Sequence, residues 1–194
     1  SVHGTQIDFL MKMSMGLILI VFFVLSPILF YFVYKYRGNK SNKAYFLSHN
    51  NKLEVVWTVI PTIILTALII FGLKTWDKAM NVEISESTKV IEVYGKQFNW
   101  TARYSGIDNT LGKANYKLVK GKNTLGVDML DVNSADDKMA REVHLVVDEP
   151  VLLKFRSQDV IHSAFLPHFR VQMNCVPGMT TQFGFTPTKT TAQM

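Results

Sequence analysis

Two long apolar runs constrain this chain more than any other feature. Met13 to Tyr34 is 22 residues without a charge, and Val55 to Leu73 is 19. Crossing a hydrocarbon core of roughly 30 Å takes about 20 apolar residues as helix. The runs therefore predict membrane spans at 13–34 and 55–73. A helix buried in a soluble core usually shows a polar stripe, and neither run has one. Pro27 and Pro61 would break a helix in water, but a span tolerates them where neighbours satisfy the freed carbonyls. The first run is too long for the core of a cleaved signal, and no small-residue cleavage site follows it. Ser1 in place of Met points to a start already processed or left out.

The connector sets the orientation. Lys35, Arg37, Lys40, Lys43 and Lys52 lie between the runs, with no acid before Glu54. Short loops rich in Lys and Arg stay cytoplasmic. Residues 35–53 then form a basic inner loop, and both termini lie outside, in the periplasm or its equivalent. Tyr31, Tyr34, Tyr36 and Trp76 fall near the span ends, where amphipathic rings favour the interface. Much of the net charge of +6 sits in this connector, so it signals topology rather than nucleic-acid binding. The expected parts are a transmembrane helical hairpin, 1–80, and an exported domain, 81–194.

From about Thr88 the apolar runs shorten and turn residues separate them. Lys89–Tyr94, Gln97–Tyr104, Glu142–Val147, Val151–Arg156, Val160–Phe165 and Thr180–Phe185 read as strands. Asp148-Glu-Pro150 and Val176-Pro-Gly178 read as turns, and the pattern predicts an antiparallel sandwich or Greek-key barrel. Residues 105–141, polar and holding four glycines, read as a long insertion. A sheet ending at Phe185 leaves an open edge, which proteins normally avoid. The expectation is a chain that continues past Met194, or a partner that covers the edge. The single cysteine, Cys175, rules out an internal disulfide, and there is no Cys-x-x-Cys-His haem attachment.

His162, in Arg156-Ser-Gln-Asp159-Val-Ile-His162-Ser163, is the residue with most chemical promise: one ligand for a metal facing an aqueous electron donor. Alone it reads equally as a strand-end histidine. His144 and His168 read as structural. Three separated motifs add weight: His49-Asn-Asn-Lys-Leu-Glu54-Val-Val-Trp57-Thr-Val-Ile-Pro61, Gly95-Lys-Gln-Phe-Asn-Trp100 and Asp159-Val-Ile-His162-Ser163. With the two runs and the basic loop, they resemble subunit II of the haem–copper cytochrome c oxidases along nearly the whole chain.

The resemblance implies a membrane-anchored α+β chain whose exported part is a cupredoxin-like Greek-key β-barrel, incomplete at its C-terminus. It implies a dinuclear copper centre, CuA, that takes electrons from cytochrome c and passes them to haem in subunit I. Oxygen reduction and coupled proton pumping then belong to that partner. His162 matches a CuA ligand. The remaining ligands are expected in a Cys-x-Glu-x-Cys-x-x-x-His-x-x-Met stretch after Met194, and Cys175 matches none of them. Phe98, Trp100 and Tyr104 match the aromatic cluster that carries electrons, with Phe98 where the family has tryptophan. That departure favours a fused or tethered cytochrome c, with a possible haem c on a C-terminal extension. Glu54 matches a glutamate at the mouth of a proton pathway; read alone, it completes a capping box with Asn51. Asp159 reads as a carboxylate orienting His162, or as an ordinary turn residue. Implied partners are subunit I, other oxidase subunits and membrane lipid. A copper-free quinol oxidase subunit and an anchored binding module without catalysis are the competing readings.

Overall fold

The computed structural model describes residues 1–38, 45–81 and 84–194. They divide into two compact units, Gln6–Trp76 and Ser1–Thr5 together with Asp77–Met194.

The apolar runs lie in helix α1 (Gly4–Lys35) and helix α2 (Asn51–Met80), of 32 and 30 residues. At 1.5 Å per residue each is about 45 Å long or more, so both reach beyond the hydrocarbon core into the interface. Apart from Gly4 and Ala79, neither helix buries a residue. Their apolar surface is thus open to lipid or partner helices. At the end of α1 cations lie over the tyrosine rings: Lys35 Nζ is 5.2 Å from the Tyr31 ring and the Arg37 guanidinium 4.8 Å from the Tyr34 ring. The basic loop is shorter than expected, because Lys35 ends α1 and Lys52 lies in the first turn of α2. Lys40 and Lys43 lie outside the described residues.

The cap of α2 is Asn50, not Asn51. Its Oδ1 accepts from the Leu53 amide at 3.2 Å, so the helix starts one residue earlier and Glu54 falls beyond the capping-box position. Glu54 keeps its place in the first turn, where the helix dipole favours a carboxylate.

The second unit is a β-structure in two sheets. Strands β1 (Lys89–Lys96), β2 (Asn99–Tyr104), β3 (Lys138–Ala140), β4 (Val151–Ser157) and β7 (Thr181–Phe185) form one, ordered β3-β2-β1-β4-β7. Strands β5 (His162–Leu166) and β6 (Val171–Cys175) form the other. Alternate residues place Ile91, Val93, Leu153, Phe155, Phe183 and Phe185 in the main core, with Val171 and Cys175 from the second sheet. This is the cupredoxin-like layering expected, with one departure: β1 and β4 pair in parallel, Lys89 opposite Val151 through to Gly95 opposite Ser157. Parallel strands are normally covered on both faces. Here the core covers one face, and residues of the insertion cover the other. Tyr94 packs there with Leu125 and Val127.

The insertion is accordingly built rather than loose. Ala114 bridges Val127, Lys120 bridges Asn123, and Lys138–Ala140 within it adds β3 to the edge of β2. The expected strand Glu142–Val147 does not form. The Tyr104 hydroxyl substitutes for a ladder there, accepting from the His144 amide at 2.7 Å and donating to the Glu142 carbonyl at 3.3 Å.

Candidate metal and electron-transfer site

The β1–β2 hairpin is closed by two residues, Gln97 and Phe98. Phe98 has φ +62°, a left-handed conformation that costs an aromatic residue about 1 to 2 kcal/mol. Its side chain is fully exposed. Trp100 stands opposite Gly95 in the ladder. It meets the His162 ring edge to face, centroids 5.8 Å apart at 70°. Gly95 makes this approach possible, since a Cβ there would lie 3.1 Å from His162 Cδ2.

The loop between β4 and β5 locks the imidazole. The Gln158 amide donates to the Gly95 carbonyl at 3.0 Å, tying the loop to the hairpin. Asp159 Oδ2 accepts from the Gln97 amide at 2.7 Å, and Oδ1 from the Val160 amide at 2.7 Å. His162 Nε2 lies 2.6 Å from Asp159 Oδ1. The hydrogen bond to His162, then the Gln97 and Val160 amides, hold the Asp159 carboxyl well below the usual carboxylate range. A carboxylate can only accept, so Nε2 donates to it. His162 is 17% exposed and Asp159 28%, so the pair sits at the surface.

Comparison with known proteins decides the family. "Cytochrome C oxidase subunit II, transmembrane domain" matches residues 1–75, and "Cytochrome C oxidase subunit II, periplasmic domain" matches residues 89–192. The chain belongs to the cytochrome c oxidase subunit II family. The alternative cytochrome c oxidase subunit 2 of Bradyrhizobium diazoefficiens is 31% identical over 162 residues, covering 82% of this chain and 58% of that protein. Cytochrome c oxidase subunit 2 of Cereibacter sphaeroides is 25% identical over 194 residues, covering 94% and 63%. The chain thus spans 58% to 63% of the length of these relatives. The solved periplasmic domain of subunit II of cytochrome oxidase from Bradyrhizobium japonicum is 26% identical over 56% of this chain and 70% of that one, with a TM-score of 0.35. Membership makes this a membrane-anchored chain with a periplasmic domain.

For a subunit II, the placement of the expected residues is uneven. Asp159, His162 and Trp100 come together, with Phe98 at the adjoining tip. Tyr104 does not join them: it pairs with Ile91, at the far end of the ladder from Gly95, and its hydroxyl holds residues 142–144. His144 is exposed, 3.5 Å from the Glu142 carboxylate. Glu54 belongs to the helical unit and is exposed.

A copper centre needs several donors around one point. Cys175 stands opposite His162 in the β5–β6 ladder, but it is fully buried, and burial pushes its thiol up to about 11. It packs as part of the hydrophobic core. Among the described residues no three His, Cys, Asp or Glu side chains gather to hold a metal. Among the described residues His162 is held in one orientation by Asp159, and a single imidazole does not by itself compose a copper centre.

Sequence reasoning missed a buried charge network behind the site. Arg103 Nε donates to Glu92 Oε2 at 2.8 Å, and its Nη1 to Asp137 Oδ2 at 3.1 Å. Arg156 Nη1 donates to Glu92 Oε1 at 2.9 Å. Asp137 Oδ2 also accepts from the Gly112 amide at 3.1 Å, so the network clamps the insertion to the sheet. Burial raises the Asp137 carboxyl above its ordinary value. The available signal was Glu92, Arg103 and Arg156 recurring at the polar positions of strands whose other face is apolar. Beside the network runs a groove of about 980 Å³, lined by Tyr94, Tyr116, Lys154, Arg156, Gln158 and Met179 among others.

Proposed function

We propose that this chain is the electron-receiving subunit of a terminal respiratory oxidase. It takes electrons from a cytochrome c and delivers them toward a haem-bearing subunit I, which reduces oxygen. The observation that carries the reading is the Asp159–His162–Trp100 constellation at the exposed end of a subunit II periplasmic domain. The packed ring pair and the hydrogen-bonded carboxylate keep His162 in one orientation, as a metal ligand requires. In this reading His162 is one ligand of the family's copper centre, and the rest of the ligand set lies outside residues 1–194. Phe98 is the outermost group for contact with the donor, and a fused or tethered cytochrome c is the favoured donor.

The same reading places the membrane as the bacterial inner membrane, with both termini and the β-domain on the periplasmic side. Glu54, exposed in the first turn of α2, then faces the cytoplasmic side, where a carboxylate can exchange protons with water. Glu54→Ala should slow proton-coupled turnover while the metal content of the complex stays unchanged. Turnover equal to the parent enzyme would remove Glu54 from the pathway. The test of the whole reading is purification through this chain: the complex should carry haem and oxidise reduced cytochrome c. Absence of both would defeat it.

A further inference from the structure

We propose that the tip of the periplasmic domain docks an electron-donor protein whose own contact face is acidic. This rests on the electron-receiving role above and specifies the partner. The tip has an apolar centre. Phe98 is fully exposed and Trp100, Val160 and Ile161 are 40%, 49% and 64% exposed, all within a few residues of His162 or the hairpin turn. Exposed aromatic and aliphatic groups around a surface site are the usual anchors of a protein contact.

The mobile charge at this end is mostly that of lysines, with Asp159 the carboxylate at the site itself. Lys96 adjoins the hairpin turn and is exposed. Residues 109–127 contain lysines and no carboxylate. Of these, Lys117, Lys120 and Lys122 are exposed. Lys113 stands apart because its amide donates to Asp131 Oδ2 at 2.8 Å, beside that carboxylate. The packing of Leu125 and Val127 on Tyr94 seats this lobe next to Gly95. The groove between lobe and sheet runs on to Ser157 and Gln158, directly before Asp159.

The carboxylates nearby are each held by hydrogen bonds, and Glu92 and Asp137 are in addition paired with arginines. Asp159 is held by His162 and two amides. Glu92 and Asp137 are held by Arg103 and Arg156. Among the described residues, Lys96, Lys117, Lys120 and Lys122 take part in no ion pair with a carboxylate; Lys117 rests over the Tyr116 ring at 5.9 Å. An apolar centre beside uncompensated cations steers acidic faces in and repels basic ones.

The experiment uses the complete oxidase complex with Lys117→Glu, Lys120→Glu and Lys122→Glu combined; the side chains are exposed, and each single reversal is the control for folding. Reduced soluble cytochromes c of acidic and of basic net charge are the protein donors, and tetramethylphenylenediamine is the small reductant. The parent should oxidise the acidic cytochrome faster, with kcat/KM falling about tenfold as salt rises through physiological strength. The triple variant should lose about tenfold in kcat/KM for the acidic cytochrome and most of its salt dependence, with diamine oxidation unchanged. Preference for the basic cytochrome, a salt-insensitive rate, or a triple variant as fast as its parent would overturn the proposal. So would unchanged cytochrome kinetics with lost binding to anionic vesicles, which would assign the lysines to lipid. A parent complex that oxidises not even the diamine would strike the electron-receiving role itself.

Discussion

Asp159 shows how one side chain fixes another. Its two oxygens accept from two backbone amides and one imidazole, so the loop, the hairpin turn and His162 share a single carboxylate. Its depressed pKa fixes the pH dependence. A carboxyl whose folded value lies below its unfolded value of about 3.9 contributes its full stability above that value. The contribution is lost only as pH falls through the lower, folded value. The carboxyl carbon resonance of Asp159 should therefore stay flat from pH 7 down to about pH 3, and the His162 ring should hold its packing against Trp100 over that range. A titration midpoint near 4 would show that the carboxylate is not held as described. Gly95 acts at the same scale by omission, because any larger residue would press on the imidazole.

At the level of elements, the β1–β4 pairing organises the domain. Its core face is apolar and its other face carries Glu92, Tyr94 and Arg156, which only the insertion and Arg103 make compatible with burial. Removing one partner of a buried pair leaves an uncompensated charge, which costs roughly 3 to 5 kcal/mol. Arg103→Leu should lower the denaturant midpoint of the detergent-solubilised chain accordingly, whereas Lys138→Leu on the exposed edge strand should not. Equal midpoints would mean that the clamp contributes nothing.

These strands were legible where an apolar pattern met a core, as in Lys89–Tyr94 and Val151–Arg156, which fall within β1 and β4. They were illegible where a single side chain replaced a ladder, as the Tyr104 hydroxyl does for residues 142–144. Parallel pairing was also hidden, since alternation along a strand says nothing about the direction of its neighbour. The Asp159–His162 spacing was visible in the sequence. The partnership of His162 with Trp100 was not, because it depends on a Gly95 approach that only the folded hairpin reveals.

Across the whole molecule, an apolar helical unit and a β-unit with a polarised tip make sense as parts of a larger redox assembly. The chain spans 58% to 63% of its relatives' lengths, and among its described residues His162 is the imidazole held by a carboxylate beside Trp100. The proposed role requires this imidazole to ligate copper in the assembled oxidase. The most direct test is the copper-to-haem ratio of the complex purified with the parent chain and with His162→Asn. The variant complex should keep its haem and lose copper relative to the parent. Equal copper in the two complexes would contradict it.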